Sequence, residues 1–169
     1  MNNLIKYLEG GDLRSIADAN KLVSLINSQK DFDALFQYLF ANERIIVMRA
    51  SDAVEKISLQ KREYLSKHTQ DIVNLMNMAR HKELKWHLAL IASRLDFTGE
   101  DSRIVWEKLT HWATNRKESR IVRVNSIQAL FDLANNNEDL KKDFDLTIQK
   151  IKNENIPSIN ARLRKLGIN

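Results

Sequence analysis

Apolar residues along the chain recur at helical spacing, and strand-like alternation never lasts for more than a few residues. The spacing predicts helices separated by short polar breaks, one of them near Lys61, as is typical of antiparallel neighbours. Asp12 and Asp31 can each cap a helix after the apolar-rich segment Met1–Leu8. The stripe that follows Asp31 is Phe32, Leu35, Phe36, Leu39 and Phe40. The helices predicted next are Arg44–Leu59, Thr69–Ala79, Lys82–Leu95, Ser102–Ala113, Ser119–Ala134, Glu138–Ile151 and Ser158–Leu166.

The apolar stripe repeats at a fixed offset of 38 residues. Its three copies are Ile46, Ala50, Ala53, Val54 and Ile57; Leu84, Leu88, Ile91, Ala92 and Leu95; and Val122, Ser126, Ala129, Leu130 and Leu133. The five positions fall within about 80° of helical arc, the width of a buried stripe. The hydroxyl of Ser126 can bond back to the carbonyl four residues earlier. A shorter copy follows at a spacing of 37, with Ile159, Leu163 and Leu166.

The third copy carries a resemblance to a known family. Residues 122–133 read VRVNSIQALFDL, which resembles the second helix of a HEAT repeat in its valine, arginine, small and alanine-leucine positions. Pro157 resembles the proline that often precedes this helix, and the arginine position of the copies holds Val47, Lys85, Arg123 and Asn160. The resemblance to the HEAT/armadillo class covers about residues 31–166. It implies a right-handed α–α superhelix of about four antiparallel helix pairs, in which second helices line a concave, ligand-binding face.

This resemblance divides the chain into units within one domain, 1–169. Residues 1–30 are expected to form N-terminal capping helices, and the repeats are expected at about 31–59, 69–95, 102–134 and 138–166. Each pair buries its stripe against its partner and the next pair. At the family's arginine position, Arg123 is expected to reach the neighbouring repeat's loop and make a structural salt bridge or carbonyl contact.

Composition narrows the functional classes. The 169 residues include only four Gly and one Pro, which are too few turn formers for a sandwich or barrel. The chain has no Cys, which excludes a disulfide framework. Without an apolar run of roughly 20 residues or a signal-peptide pattern at Met1–Gly11, we expect a soluble cytoplasmic protein. No glycine-rich phosphate loop or metal-ligand spacing among the four histidines is present, so we expect no cofactor and no metal.

The helix wheel defines a surface opposite the buried stripe, here called the second-helix face. Its residues are Arg44, Met48, Asp52 and Glu55; Lys82, Trp86, Leu90 and Ser93; and Arg120, Val124, Gln128 and Phe131. A basic row (Arg44, Lys82, Arg120) therefore runs beside an apolar row (Met48, Trp86, Val124), which Leu90 and Phe131 extend. Large apolar groups opposite a buried stripe need covering.

Three interpretations of this face are open. The apolar residues can pack on neighbouring helices, since Trp is usually well buried. They can form a protein or peptide site, whose centre is typically rich in Trp, Phe, Met and Arg. They can also bind nucleic acid, with the basic row on phosphates and Trp86 stacked on a base, although a net charge of +5 is mild for that role.

An enzymatic alternative rests on the same face. Alkylpurine DNA glycosylases built of HEAT-like repeats use a groove carboxylate with tryptophan and arginine, and Asp52, Trp86 and Arg120 share this face. No family-specific motif assigns those roles here, and Asp52 can simply pair with Lys56 one helical turn away.

The sequence therefore favours a non-catalytic scaffold that binds a protein or peptide partner, and the basic row favours an acidic one. Self-association through the apolar row is a further possibility, and no membrane partner is expected. The predicted partner-binding residues are Arg44, Met48, Lys82, Trp86, Leu90, Arg120, Val124 and Phe131.

Overall fold

The computed structural model describes residues 4–9, 17–135 and 137–168, and within these ranges the chain is helical without strands. The α-helices are α1 (Ile5–Leu8), α2 (Ala17–Leu25), α3 (Gln29–Phe36), α4 (Arg44–Gln60), α5 (Thr69–Met78), α6 (Lys82–Ala92), α7 (Gly99–Thr114), α8 (Arg120–Ala134), α9 (Glu138–Lys152) and α10 (Pro157–Lys165). Two 3-10 helices, Gln37–Phe40 and Arg62–His68, extend the connections around α4. The all-α prediction is confirmed.

The helices stack as two layers. Helices α4, α6, α8 and α10 contact one another in sequence and form the second-helix layer. Helix α5 contacts α7, and α7 contacts α9, so these first helices form the other layer. Helices α3, α5 and α7 each pack on the second helix that follows them. Because contacts run between successive pairs rather than around one central axis, the arrangement is a solenoid.

The N-terminal helices cover α4, the first rod of the second-helix layer. Both α1 and α2 contact α4, and Leu8 and Leu22 are fully buried. The guanidinium of Arg49 donates hydrogen bonds to the backbone carbonyls of Leu8, at 3.1 Å, and Glu9, at 2.8 Å. These bonds satisfy carbonyls at the end of α1, which has no further turn to receive them. The predicted cap Asp12 lies outside the described residues.

The repeating stripe forms the centre of the core. Ala50, Leu88 and Ser126, which occupy one stripe position in three successive copies, each have no exposed surface. In the fourth copy Ile159 and Leu163 are buried as well. Leu133 is the exception in the third copy and is partly exposed. The stripe is buried because it faces both its own first helix and the next repeat, as the 38-residue offset predicts.

The predicted cap of the third helix is wrong by one turn. Ser28, not Asp31, caps α3: its extended backbone precedes Gln29, and its hydroxyl accepts a hydrogen bond from the backbone N–H of Asp31. The same hydroxyl donates to the Asp31 carboxylate at 2.6 Å. Asp31 therefore lies in the first turn, where a carboxylate interacts favourably with the helix dipole.

Phe40 does not continue the buried stripe as predicted, because its side chain is 41% exposed. The α-helix ends at Phe36, and a 3-10 helix covers Gln37–Phe40. A 3-10 helix turns about 20° further per residue than an α-helix, so the side-chain directions drift away from the stripe within four residues. Leu39 stays buried, and Phe40 is rotated out.

The predicted polar break after Lys61 is instead a 3-10 helix that ties two first helices together. His68 Nε2 lies 2.7 Å from Asp33 Oδ1 in α3, and the His68 ring stacks on Phe36 with 4.0 Å between centroids. Gln29 donates a 3.0 Å hydrogen bond to the backbone carbonyl of Tyr64 in the same segment. Leu65 and His68 are buried. The segment therefore fills the space between α3 and α5.

The hydroxyl of Ser126 does not make the predicted bond to the carbonyl four residues earlier. Ser126 has no exposed surface, and its Oγ has no hydrogen-bond partner within the part of the chain that the structure describes. Burying an unsatisfied hydroxyl costs roughly 1–3 kcal/mol. The structure thus contains a small, correctable penalty at the centre of α8.

We expect Ser126→Ala to raise the free energy of unfolding by about 1 kcal/mol, since it removes that penalty and restores a good helix former. Alanine already occupies the matching position, Ala50, in the first repeat. Urea denaturation would measure the change. The matched control is Ser51→Ala, because Ser51 is equally buried but donates to the Met48 carbonyl at 2.9 Å. Equal effects of the two substitutions would contradict the interpretation.

Candidate interaction surface

The structure brings the predicted basic and apolar rows together on three adjacent helices. Arg44, Lys82 and Arg120 are the first residues of α4, α6 and α8. Trp86 and Val124 follow one turn after Lys82 and Arg120. Since α4 contacts α6 and α6 contacts α8, the rows cross neighbouring rods, as the register predicts. The N-terminal half of the second-helix face is therefore one continuous surface.

The apolar row is partly exposed and partly anchored. Trp86 and Val124 are both partly exposed, and their buried portions pack against the core. Leu90 is partly exposed on the same face of α6. Met48 is only 9% exposed, so on α4 the row is nearly covered. The accessible apolar surface therefore centres on α6 and α8.

Phe131 is less available than predicted. Its ring packs edge-to-face on Phe144 of α9, with 5.9 Å between centroids and an interplanar angle of 63°. The side chain is partly exposed, but this contact directs it towards the following repeat. Aromatic pairs of this geometry are themselves stabilising, so Phe131 has a structural role at the end of α8.

The residues of the basic row differ in whether they form ion pairs within the chain. Arg44 makes a two-pronged ion pair with Glu83 of α6, with Nη2 2.8 Å from Oε1 and Nε 3.2 Å from Oε2. Glu83 is buried, and although burial would raise the pKa of its carboxyl, the hydrogen bond and charge of Arg44 hold the pKa below its ordinary value. Lys82 and Arg120 are exposed and have no ion-pair partner among the described residues.

Carboxylates on the second-helix face are already paired within the chain. Asp52 accepts a 2.7 Å bond from Lys56 one turn along α4. Glu55 lies 2.6 Å from His87 Nδ1, which must carry the proton because a carboxylate only accepts. Arg94 also binds Glu55, through Nη2 to Oε1 at 3.3 Å and Nη1 to the backbone carbonyl at 2.6 Å.

Glu55, His87 and Arg94 form a cluster in which the Glu55 carboxylate is compensated by both partners. Burial pushes the pKa of the Glu55 carboxyl upward, but the hydrogen bond from His87 and the charges of His87 and Arg94 outweigh it, so the pKa lies below its ordinary value. Arg94 further binds Ser58 Oγ at 2.6 Å. His87 therefore forms part of the contact between α4 and α6.

The residues of the enzymatic alternative lie on successive second helices. Asp52, Trp86 and Arg120 lie on three different helices, and Asp52 has the one-turn ion pair with Lys56. Within the described ranges, no group of three His, Asp or Glu side chains is arranged to hold a metal ion. None of the helices in those ranges is long and apolar enough to cross a membrane.

Arg123 has the structural role expected from its motif position. It is 2% exposed, its Nε donates to the Ala113 carbonyl at 2.8 Å, and its two terminal nitrogens each lie 2.9 Å from Glu154. Glu154 belongs to the connection before α10, so the pair joins the third and fourth repeats. Lys85 pairs in the same way with Glu118, before α8.

The sequence analysis missed the acidic halves of these ion pairs. Glu83, Glu118 and Glu154 lie 39, 33 and 31 residues after their partners, close to one repeat length. A search for opposite charges about one repeat apart could have found them.

The fold is that of an α-solenoid, a class in which stacked helix pairs present an extended face. Residues 5–166 match the family model of the HEAT repeat domain. The chain belongs to the HEAT repeat family. No curated protein and no solved structure matches it significantly.

Proposed function

We propose that the chain is a non-catalytic scaffold that binds an acidic protein or peptide on the second-helix face. The observation that supports this is an imbalance of paired charges. Asp52, Glu55 and Glu83 are all neutralised by bonds within the chain, whereas Lys82 and Arg120 are exposed without ion-pair partners among the described residues. The face therefore presents net positive charge beside partly exposed Trp86 and Val124.

The combination suits a protein partner. Interface centres are rich in tryptophan and arginine and depleted in lysine and carboxylates, with charges placed at the rim. Trp86 lies on α6 between α4 and α8, and Lys82 and Arg120 lie one turn away at the helix starts. Trp86 would supply buried apolar area, and the two cations would select acidic partners and accelerate association.

A test compares partner capture by the unmodified chain and two variants. We expect Trp86→Ala to reduce recovery of a partner from the source cell about tenfold, and Lys82→Glu with Arg120→Glu to abolish it. The control is Leu146→Ala, which removes a 56% exposed leucine from α9 in the other layer. Thermal denaturation confirms that each variant is folded. Unchanged recovery with both site variants would contradict the proposal.

Nucleic acid is the second candidate, because exposed cations at the starts of adjacent helices can also bind phosphates. That candidate predicts duplex or single-strand binding that weakens steeply with salt. A gel shift at about 50 and 200 mM salt distinguishes it. A retarded band at low salt that Lys82→Glu removes would favour nucleic acid over a protein partner, and no shift at low salt would eliminate it.

A further inference from the structure

A second surface lies at the edge of the solenoid where each first helix connects to its second helix. There the first two repeats enclose a groove of about 400 Å³, here called the loop-edge groove. Its apolar lining includes the buried Leu39, Val47, Leu75 and Leu84, the partly exposed Ala41 and Ala79, and the exposed Phe40 and Met78. This volume lies within the range of ligand and peptide-anchor pockets, about 300–1,000 Å³.

Phe40 and Met78 form two exposed apolar walls of the groove. Phe40 is 41% and Met78 is 60% exposed, and they lie 38 residues apart, Phe40 at the end of the 3-10 helix after α3 and Met78 at the end of α5. Few large apolar side chains in the described ranges are as exposed as these, and these two share one groove. An apolar cleft open to water loses its hydration cost when a partner's apolar side chain fills it.

The charge at the rim is of one sign. Arg44, Arg80 and His81 line the groove, and none of the described residues that line it is a carboxylate. The Arg44 guanidinium is bound to Glu83, whereas Arg80 is exposed without an ion-pair partner among the described residues. A partner that places a large apolar side chain in the cleft would therefore gain from carboxylates on either side of it.

The equivalent position elsewhere in the stack has a different chemistry. Between the third and fourth repeats the cavity at this edge is lined by Arg116, Arg120 and Arg123 together with Glu118 and Glu154. Arg116 stands where Phe40 and Met78 stand in the earlier repeats. Fold geometry alone therefore does not make this edge apolar.

We propose that the loop-edge groove binds a short acidic segment of a partner protein, with one large apolar side chain inserted between Phe40 and Met78. A carboxylate beside that side chain meets Arg80. The groove shares Arg44 with the second-helix face but has its own apolar residues, and the proposal does not depend on the function proposed above. The chain then has two neighbouring surfaces for acidic partners, one along its second helices and one at its edge.

Methionine methyl groups provide reporters for the test. Met78 lies in the groove, Met48 lies on the second-helix face, and Met76 is 1% exposed in the core. The full chain, labelled with ¹³C at its methionine methyls, would be titrated with three synthetic peptides: acetyl-EELFEE-amide, acetyl-KKLFKK-amide and acetyl-EESSEE-amide. We expect only the first to shift the Met78 resonance saturably, with the Met76 resonance unchanged.

Two variants identify the contacts. Phe40→Ser should weaken binding of the acidic apolar peptide about tenfold, whereas Leu59→Ser, at a 67% exposed leucine on α4, should leave it unchanged. Arg80→Glu should weaken the acidic peptide similarly and favour the lysine peptide. An unchanged Met76 resonance shows that each variant keeps its core, and Arg80→Glu carries the test if Phe40→Ser does not fold.

Several outcomes would overturn the proposal. One is no Met78 shift, and another is an equal response to all three peptides. A shift of Met48 without Met78 would place the peptide on the second-helix face, which overturns the groove while supporting the function proposed above. A Met78 shift that depends on protein concentration without peptide would identify a second copy of the chain as the occupant.

Discussion

Replacing Leu88 with alanine is expected to lower the free energy of unfolding by about 3 kcal/mol. Leu88 has no exposed surface, and its helix α6 contacts α4 on one side, α8 on the other, and α5 beneath. Truncation removes buried methyl groups and leaves a cavity that several helices would have to close together. Urea denaturation of the full chain would measure the loss.

The control for this prediction lies two residues away. Leu90 is on the same helix but is partly exposed, so Leu90→Ala should cost about 1 kcal/mol or less. The first repeat has alanine at the position of Leu88, which shows that the fold accepts a small residue where the neighbouring side chains are matched to it. Equal costs at Leu88 and Leu90 would refute the packing interpretation. We therefore expect a small residue at this position to preserve stability only in a repeat whose neighbouring side chains fill the space.

The second helices were the most predictable part of the fold. Their apolar stripe recurs at the same register in each repeat, so equivalent residues of successive repeats have equivalent neighbours. Predicted Arg44–Leu59 and observed Arg44–Gln60 differ by one residue, and α6 begins at Lys82 as predicted but ends at Ala92 rather than Leu95. Periodicity predicts such helices well because the buried stripe is what stabilises them.

The start of α3 and the segment that follows it were less predictable. Ser28 and Asp31 both belong to the residue types that cap helices, and only the extended backbone at Ser28 decides between them. Phe40 fits an α-helical stripe in the sequence, but the turn before it is a 3-10 helix. Local backbone choices of this kind depend on how the chain reaches α4, which periodicity does not encode.

The partners of surface charges could not be read from a single helix wheel. The wheel places Arg44 and Lys82 in one basic row, yet Arg44 meets Glu83 from the adjacent rod and Lys82 is exposed. Arg44 and Lys82 differ because an ion pair forms between neighbouring helices, and a wheel drawn for one helix does not show the side chains of the next. The sequence predicted the surface and its residue types, while the distribution of net charge on it required the neighbouring helices.

Replacing Arg123 with methionine is expected to lower the free energy of unfolding by about 2–4 kcal/mol. The change leaves the Ala113 carbonyl without its donor and leaves Glu154, whose side chain is 9% exposed, without its two-pronged partner. Arg116, 3.5 Å from Glu154, retains part of the compensation, so the loss should stay below that of a fully isolated buried charge. The control is Lys141→Met, which removes a 3.8 Å exposed pair with Glu138 and should leave stability near that of the unmodified chain.

The pH dependence separates loss of the ion pair from loss of packing at Arg123. The hydrogen bond and charge of Arg123 hold the pKa of the Glu154 carboxyl below the ordinary value of 4.5. A lowered folded-state pKa stabilises the chain above 4.5, and this contribution disappears as the pH falls through the lowered value. The stability difference between the unmodified chain and Arg123→Met should therefore be largest near neutral pH and narrow in acid. A difference that stays constant from pH 7 to about pH 3 would show that packing, rather than the link between Arg123 and Glu154, joins the last two repeats.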